Sequence, residues 1–177
     1  MANSKPFRVL VIDDAPPFRR QVCDALEASG LEVAEASEGY EALWRVRAEG
    51  VFDLILADVH MPNLDGIVFI REVRKLPEYK EVPIFVLTSD GSRDRREEGR
   101  AAGATAWLLK PPDLAALVHT VHAALLQLIK ARDPGVAARP SLTPVAAPAS
   151  TRSPLRSSRA PASRGSRPST RPPPRSR

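Results

Sequence analysis

The sequence predicts an α/β fold of the doubly wound type, in which a parallel five-stranded sheet carries helices on both faces. Two patterns lead to this prediction. Short apolar runs alternate five times with helical segments over roughly the first 130 residues. The runs are apolar at most positions, which is typical of strands buried on both faces of a parallel sheet.

Five runs rich in Val, Ile, Leu and Phe are the predicted strands. In chain order they cover residues 7–12, 31–36, 52–57, 82–87 and 104–109. Because each run is followed by a segment of helical character, the strands and helices are expected to alternate along a doubly wound domain.

Five helices are predicted between and after these strands, and four of them have an apolar stripe that would cover one face of the sheet. The stripes are Phe18, Val22, Ala25 and Leu26 in the first, Ala42, Leu43 and Val46 in the second, Ile67, Ile70, Val73 and Arg74 in the third, and Leu114, Leu117, Val118, Val121, Leu125 and Leu128 in the last. The fourth helix, about residues 92–102, is nearly all charged or Ala/Gly. It is therefore expected to be the least well anchored.

Residues that begin and end helices stand at the expected boundaries. Candidate N-caps are Ser37, Asp65, Ser92 and Asp113. Pro16 and Pro17 suit the first turn of the first helix. Helix ends are followed by Gly30, Gly50 and Gly103. The folded domain is accordingly expected to span residues 1–132.

The last part of the chain has a different composition. Residues 134–177 hold nine Arg, ten of the 18 Pro and nine Ser, and no Lys, Asp, Glu or aromatic residue. This stretch carries +9, so the other 133 residues carry −4 of the net +5. Such a segment cannot bury enough apolar surface to offset the entropy of ordering. We predict a disordered basic tail over residues 133–177, and the acidic remainder disfavours a basic globular nucleic-acid-binding domain.

Cysteine content and hydropathy exclude further classes. The single Cys23 leaves no disulfide within the chain and lies in an apolar helical stripe, so it is interpreted as a small core hydrophobe. The early apolar run at residues 9–12 is too short for a signal peptide or a membrane span. A cytoplasmic protein with no membrane insertion is expected.

Polar side chains concentrate at the ends of the predicted strands. Asp13 and Asp14 follow the first strand, Asp58 the third, Thr88 the fourth and Lys110 the fifth. In a doubly wound sheet the functional crevice lies outside the carboxyl ends of the strands. If these four strands are neighbours, one crevice holds three carboxylates, a hydroxyl and an ammonium.

Each of these residues alone has a simpler interpretation, as a solvated turn, a cap or a surface charge. Their joint placement on four strand ends favours a site. Three close carboxylates repel one another, and at least one would take up a proton unless a cation compensated. Oxygen ligands suit a hard cation, so Mg²⁺ is the expected cofactor.

The same residues resemble the signature of the response-regulator receiver domain family, in its single-domain, chemotaxis-receiver-like form. The matching motifs are Val-Ile-Asp-Asp at 11–14, Leu-Ala-Asp-Val-His-Met-Pro-Asn-Leu-Asp-Gly at 56–66, Leu-Thr-Ser at 87–89 and Lys-Pro at 110–111. They occur in the family's order and spacing. The resemblance implies the flavodoxin-like strand order 2-1-3-4-5 and a cis bond between Lys110 and Pro111.

The resemblance also implies catalytic roles. Asp58 would be the phosphoacceptor, attacking the phosphohistidine of a sensor histidine kinase or of a histidine phosphotransfer protein. Lys110 would neutralise the phosphoryl oxygens as charge spreads in the transition state. Thr88 would hydrogen-bond the phosphoryl group once it is attached, and the end of the fourth strand would shift toward the site.

A magnesium ligand set is implied in the same way. Asp14 and Asp58 would bind Mg²⁺ directly, and Asp13 would bind it chiefly through water. The backbone carbonyl of His60 would complete the protein ligands. The His60 side chain and Asp90 stand two positions after Asp58 and Thr88. They are candidates for tuning the lifetime of the acyl phosphate, although a solvated surface position explains either one equally well.

The resemblance further implies a switch residue on the fifth strand, three positions before the lysine. Trp107 occupies that position, where Tyr, Phe or His is commoner, and a Trp simply packed on a partly buried strand face is the alternative. The switched, protein-binding face would comprise the fourth helix, the fifth strand and the last helix. Among the residues expected on it are Arg93, Arg96, Arg100, His119 and His122.

The expected function is that of a single-domain response regulator in a two-component phosphorelay. It is not expected to be an enzyme beyond self-catalysed phosphotransfer and dephosphorylation. The alternative is a receiver-gated adaptor whose basic tail binds nucleic acid or another anionic surface. A solubilising tail without a binding role and a receiver that is never phosphorylated also remain open.

Overall fold

The computed structural model describes residues 6–132, which form a five-stranded parallel sheet with helices on both faces. The strands are β1 (Arg8–Ile12), β2 (Glu32–Ala36), β3 (Leu54–Ala57), β4 (Ile84–Thr88) and β5 (Ala106–Leu109). Their order across the sheet is β2-β1-β3-β4-β5, with every neighbouring pair parallel. The predicted fold class and strand order are confirmed. Each strand begins one or two residues after the start of the apolar run that predicted it.

Five helices connect and follow the strands, as predicted. They are α1 (Pro16–Ala28), α2 (Gly39–Ala48), α3 (Gly66–Arg74), α4 (Arg93–Ala102) and α5 (Leu114–Arg132). A short 3-10 helix at Pro77–Tyr79, which the sequence pattern did not predict, leads from α3 toward β4.

The two faces of the sheet bury two separate apolar clusters. Along β1, Leu10 and Ile12 belong to the cluster beneath α2 and α3, whereas Val9 and Val11 belong to the cluster beneath α1 and α5. This alternation follows from the period of two along a strand. Cys23 lies in the second cluster and is fully buried, which raises the pKa of its thiol to about 12 and confirms its interpretation as a core residue.

Complete burial of the strands is found only in the centre of the sheet. The residues of β3 and β4 are all buried, but Glu32 on β2 and Leu109 on β5 are exposed. The expectation that all five strands are buried on both faces is therefore wrong for the two edge strands. An edge strand has a neighbour on one side only, so the helices that cover the sheet leave part of it open to solvent.

One predicted helix start is displaced by a residue. The N-cap position of α2 is Glu38 rather than Ser37. The backbone N–H and the hydroxyl of Ser37 both donate to the Glu41 carboxylate, at 2.8 Å each. Ser37 therefore stabilises the first turn of α2 through its hydrogen bonds to Glu41, which lies in that turn. Asp65 caps α3 as predicted, since its side chain accepts a hydrogen bond from Ile67 N at 2.8 Å.

The charged helix α4 buries only Gly99 and Ala102, which agrees with its expected weak anchoring. Its end is held by Arg74 of α3, whose guanidinium donates to the carbonyl of Gly103 at 2.8 and 3.0 Å and to that of Val82 at 2.8 Å. Arg74 is therefore a half-buried member of the α3 stripe whose guanidinium is satisfied by backbone carbonyls.

Helix α5 is, within residues 6–132, the one helix long and apolar enough to cross a membrane by length and composition. Its residues Leu117, Val121 and Leu125 are buried against the sheet, which accounts for the apolar stripe. The absence of membrane insertion stays a prediction. The tail predicted for residues 133–177 lies outside the described residues. The domain boundary predicted at residue 132 therefore stays a prediction.

Candidate functional site

The carboxyl ends of β1, β3, β4 and β5 bring the predicted polar residues to one edge of the sheet. Asp13 and Asp14 follow β1, Asp58 follows β3, Thr88 ends β4 and Lys110 follows β5. The parallel registers place these ends side by side, with Ile12 opposite Ala57 and Thr88 opposite Leu109. Side chains from distant parts of the chain therefore share one crevice, as expected for a doubly wound sheet.

The three carboxylates form a compact acidic group. One carboxylate oxygen each from Asp13, Asp14 and Asp58 lies within 4.8 Å of the other two. Asp13 and Asp58 are only 3% and 6% exposed, while Asp14 is exposed to solvent. An all-oxygen donor set of this kind, open on the Asp14 side, fits a hard divalent cation. These residues could therefore bind a metal ion.

Lys110 joins the two buried carboxylates. Its Nζ atom lies 2.5 Å from Asp13 Oδ2 and 2.5 Å from Asp58 Oδ2. Burial alone would lower the pKa of Lys110, but the hydrogen bonds and charges of Asp13 and Asp58 outweigh it and raise that pKa. Lys110 is therefore a permanent cation at neutral pH, placed between two carboxylates that would otherwise repel each other.

The other oxygen of each buried carboxylate is held by the backbone. Asp13 Oδ1 accepts a hydrogen bond from Ala15 N at 2.9 Å. Asp58 Oδ1 accepts from Val59 N at 2.6 Å and from His60 N at 3.3 Å. Both side chains are thus oriented with Oδ2 toward Lys110. Burial raises the pKa of Asp13, and the hydrogen bonds from Lys110 and Ala15 offset this only in part.

The loop that carries Asp58 packs directly on the start of α3. Gly66 N donates to Val59 O at 2.9 Å. A Cβ atom at Gly66 would lie 2.0 Å from the backbone oxygen of Asp58, so only glycine permits this approach. The glycine of the 56–66 motif therefore sets the position of the Asp58 backbone.

Thr88 is fully buried at the floor of the crevice. Its Oγ1 atom accepts a hydrogen bond from Asp90 N at 3.2 Å. The Asp90 carboxylate accepts from Ser92 N at 2.8 Å and lies 3.5 Å from His60 Nε2. The two residues singled out for tuning, His60 and Asp90, thus lie beside each other, and the loop after β4 is tied to the Thr88 hydroxyl.

Trp107 lies half-buried between β5 and α4. Its indole Nε1 donates to the carbonyl of Asp90 at 3.0 Å. Its six-membered ring rests on Gly99, where a Cβ atom would come within 2.3 Å of Trp107 Cζ3. The predicted switch residue therefore contacts both the loop after Thr88 and the helix expected to form the binding face.

One residue near the crevice was missed by the sequence analysis. Phe18, assigned only to the apolar stripe of α1, places its ring centroid 4.7 Å from Lys110 Nζ. Nothing in the sequence pattern distinguishes Phe18 from a core residue. Its relation to Lys110 arises from the meeting of α1 with the end of β5.

The predicted binding face is partly corrected. Arg93, Arg96, Arg100 and His119 are exposed, as expected. His122 is half-buried and its Nε2 atom lies 3.0 Å from Ser29 Oγ at the end of α1. It therefore faces α1 instead of the binding face, because α5 packs against α1 on that side. The Lys110–Pro111 peptide bond is cis, as the family resemblance implied.

Comparison with known proteins identifies the family. The family model of the response regulator receiver domain matches residues 9–122. The transcriptional regulatory protein PrrA of Mycobacterium tuberculosis is 42% identical over 118 residues, 67% of this chain and 49% of that protein. The gliding motility regulatory protein of Myxococcus xanthus is 38% identical over 107 residues, 60% of this chain and 14% of that protein. The chain thus spans half or less of the length of these relatives.

Solved structures show the same fold. The chemotaxis response regulator CheY4 of Vibrio cholerae is 38% identical with a TM-score of 0.64, over 68% of this chain and 99% of that one. A putative response regulator from Chloroflexus aurantiacus is 33% identical with a TM-score of 0.65, over 69% of this chain and 99% of that one. With the family model covering most of residues 6–132, this chain belongs to the response regulator receiver domain family of two-component systems.

Proposed function

We propose that this protein accepts a phosphoryl group on Asp58 and acts as a single-domain response regulator in a phosphorelay. The observation that carries the proposal is the Lys110 ammonium, 2.5 Å from Oδ2 of both Asp58 and Asp13, at the edge of the sheet where three carboxylates meet. Membership of the receiver family supports it. The site works in the cytoplasm, where a sensor histidine kinase or a histidine phosphotransfer protein supplies the phosphoryl group.

The transfer step uses the oxygen of Asp58 that faces Lys110. Oδ1 is engaged by two backbone N–H groups, so Oδ2 attacks the phosphorus atom of the donor phosphohistidine. The P–O bond forms as the P–N bond breaks, and the electron pair of that bond returns to the imidazole nitrogen. The product is an acyl phosphate, with Asp58 as a carboxylate nucleophile.

Lys110 is already beside Asp58 before this step begins. As a cation that already contacts Asp58 Oδ2, it is placed to pair with a phosphoryl oxygen when Oδ2 becomes the bridging oxygen of the acyl phosphate. Such preorganised charge stabilises a loose transition state more than chemical participation does. Thr88, whose hydroxyl accepts from Asp90 N, has its own proton available to donate to the phosphoryl group.

The proposed cofactor is Mg²⁺, which would be held by Asp14 and Asp58 directly, by Asp13 chiefly through water, and by the backbone carbonyl of His60. When bound, it supplies positive charge that neutralises the carboxylates and the phosphoryl oxygens. The cluster of three acidic residues supports this ligand set. Because Asp14 is exposed, an ion could reach this cluster from solvent.

The output of the switch is a change of the face formed by α4, β5 and α5. Thr88 is linked to this face through Asp90, whose backbone bonds both the Thr88 hydroxyl and the Trp107 indole. Movement of Thr88 toward a phosphoryl group disturbs both bonds, and Trp107 passes the disturbance to Gly99 of α4. Phosphorylation then favours one of two arrangements of this face, which binds a downstream protein.

Phosphorylation with a small phosphodonor tests the proposal. Incubation of the purified protein with acetyl phosphate and Mg²⁺ should add one phosphoryl group, seen by intact mass, and chelation of Mg²⁺ should abolish the gain. Asp58→Ala should remain unlabelled. The matched control is Asp24→Ala, since Asp24 is an exposed acid on α1 and should not affect labelling. An unlabelled wild-type protein, or a labelled Asp58→Ala variant, contradicts the proposal.

A further inference from the structure

We propose that Phe18 is a positioning residue for Lys110: the face of its aromatic ring holds the lysine ammonium over the Asp58 carboxylate. This inference rests on the function proposed above and adds a residue to it that the sequence motifs do not contain. Phe18 touches neither the carboxylates nor the phosphoryl group in this scheme, and it acts through Lys110 alone.

The geometry is that of a cation–π contact. Lys110 Nζ lies 4.7 Å from the centroid of the Phe18 ring, well inside the distance of about 6 Å within which the quadrupole of an aromatic face attracts a cation. The Lys110 side chain is only 16% exposed. Water therefore screens the contact less than it would at an open surface.

The number of hydrogen bonds that the Lys110 ammonium can donate explains why an aromatic ring suits the position of Phe18. A lysine ammonium has three N–H donors and no acceptor. Asp13 and Asp58 accept one hydrogen bond each, at 2.5 Å. The ring provides a third source of negative potential that carries no net charge. A third carboxylate would compete with the phosphoryl oxygens for the lysine, whereas a ring attracts the lysine without becoming a rival acceptor.

Phe18 is itself held in place. It lies in the first turn of α1, directly after Pro16 and Pro17, and its half-buried side chain packs on the cluster that contains Val22 and Leu117. The ring is thus supported by the core on one side while it faces Lys110 on another. A supported ring narrows the range of Lys110 positions before the phosphoryl group arrives, which lowers the cost of organising the transition state.

The first experiment measures the rate of labelling by acetyl phosphate at saturating Mg²⁺. Phe18→Leu retains apolar bulk but loses the π face, and it should slow labelling about threefold to tenfold, the factor expected from a partly desolvated cation–π contact. Phe18→Tyr and Phe18→Trp should restore the rate. The affinity for Mg²⁺, measured by calorimetry, should stay unchanged because the cation–π partner of Phe18 is Lys110, which is not a proposed Mg²⁺ ligand.

A matched variant controls for loss of core packing. Phe7 is also half-buried and packs on the same cluster, but it precedes the start of β1, whereas Lys110 follows the end of β5 at the opposite edge of the parallel sheet. Phe7→Leu should therefore leave the labelling rate unchanged. Equal slowing in Phe7→Leu and Phe18→Leu would show that packing alone is responsible, and would overturn the inference.

Ring fluorination tests the electrostatic part without changing the shape. Phenylalanine analogues with one, two and three ring fluorines at position 18 weaken the quadrupole step by step while the protein keeps its fold. The logarithm of the labelling rate should fall steadily along this series. A flat series in a protein that is labelled normally overturns the inference while the proposed function stands.

A spectroscopic readout separates the two proposals. In the unphosphorylated protein, the ring current of Phe18 should shift the side-chain proton resonances of Lys110 upfield in NMR spectra. Phe18→Leu should remove this shift. If the wild-type protein is not labelled at all, the proposed function fails; if the upfield shift is absent, the positioning contact itself fails.

Discussion

The indole Nε1 of Trp107 donates a hydrogen bond to the backbone carbonyl of Asp90 over 3.0 Å. Asp90 N in turn donates to the hydroxyl of Thr88. The side chain on β5 and the hydroxyl at the end of β4 are thus joined through a single residue. In the proposed switch, this short link would couple Asp58 to α4.

Fluorescence of Trp107 should report phosphorylation. The chain has two tryptophans, and Trp44 lies exposed on α2, remote from the link. In Trp44→Phe the single remaining indole should change its emission maximum or intensity when acetyl phosphate and Mg²⁺ are added. The reason is that, in the proposed switch, movement of Thr88 would break or lengthen the hydrogen bond between Trp107 Nε1 and the Asp90 carbonyl.

The reciprocal variant provides the control for this measurement. Trp107→Phe keeps Trp44 as the only indole, and its emission should not respond to the phosphodonor. A response in Trp107→Phe equal to that in Trp44→Phe would mean that the emission reports something other than the link.

Gly99→Ala should destabilise the protein because α4 and Trp107 are in contact there. The new Cβ atom would lie 2.3 Å from Trp107 Cζ3, so the indole must move. Overpacking of this kind costs about 1–3 kcal/mol. In an open helix the same change would stabilise by up to about 1 kcal/mol. The free energy of unfolding in urea should therefore fall, even though alanine has a higher helix propensity than glycine.

Two further variants isolate the contact. In the Trp107→Ala background, Gly99→Ala should become neutral or stabilising, which a double-mutant cycle measures. Ala101→Gly on the exposed face of α4 gives the size of the propensity effect alone. If Gly99→Ala destabilises both backgrounds equally, the indole is not the obstacle.

Gly66→Ala should be more damaging than Gly99→Ala. Its Cβ atom would meet backbone, 2.0 Å from Asp58 O and 3.0 Å from Val59 Cα, and backbone cannot rotate away as a side chain can. We expect a loss of about 3 kcal/mol or more in the free energy of unfolding. The affinity for Mg²⁺ should fall as well, because the Asp58 loop must shift.

The neighbouring Val68→Ala serves as the comparison. Val68 is also on α3 but 39% exposed, so its truncation should change the free energy of unfolding by only about 0.5 kcal/mol or less. A Gly66→Ala variant that unfolds like Val68→Ala and binds Mg²⁺ normally would refute the close approach of α3 to Asp58.

Asp13→Asn should stabilise the protein in the absence of Mg²⁺. The pKa of Asp13 is raised mainly by burial. A carboxyl whose pKa is raised on folding contributes stability below its unfolded pKa, near 3.8, and loses that contribution as pH rises through the folded value. Above the folded pKa the ionised Asp13 therefore weakens the fold. In EDTA the melting temperature of Asp13→Asn should exceed that of wild type by a few degrees.

Melting temperatures measured at several pH values and with added Mg²⁺ check this prediction. The gain should shrink as pH falls toward the unfolded pKa of Asp13, where the wild-type side chain is also neutral. Added Mg²⁺ should raise the melting temperature of wild type more than that of Asp13→Asn, by mass action on the folded state. Asp14→Asn should have a smaller effect in EDTA, since Asp14 is exposed. A lower melting temperature for Asp13→Asn at pH 7 would contradict the prediction.

Much of the fold could be predicted because its signals are local. The apolar runs and helical stripes lie within single elements, and each reflects the environment of that element alone. The same locality explains the errors. Ser37 was assigned as an N-cap from its residue type. In the structure, its backbone N–H and its hydroxyl both donate hydrogen bonds to the Glu41 carboxylate instead. The exposure of Leu109 depends on the position of β5 at the edge of the sheet, which the run itself does not contain.

By itself, the sequence determined the alternation of strands and helices and the residues that end each strand. Asp13, Asp58, Thr88 and Lys110 could be named because the end of a parallel strand is a recognisable place in a chain. The family resemblance then assigned roles to them and supplied the strand order.

Only the tertiary structure decided which of these side chains touch and what supports them. Lys110 reaches Asp13 across 97 positions in the chain, and the Phe18 ring meets Lys110 where α1 approaches the end of β5. Glycine is required at position 66 because an Asp58 oxygen lies against it, and at position 99 because the Trp107 ring does. Contacts of this kind depend on how separate elements pack, and packing follows from the shapes of both partners together, so no pattern within one segment can reveal it.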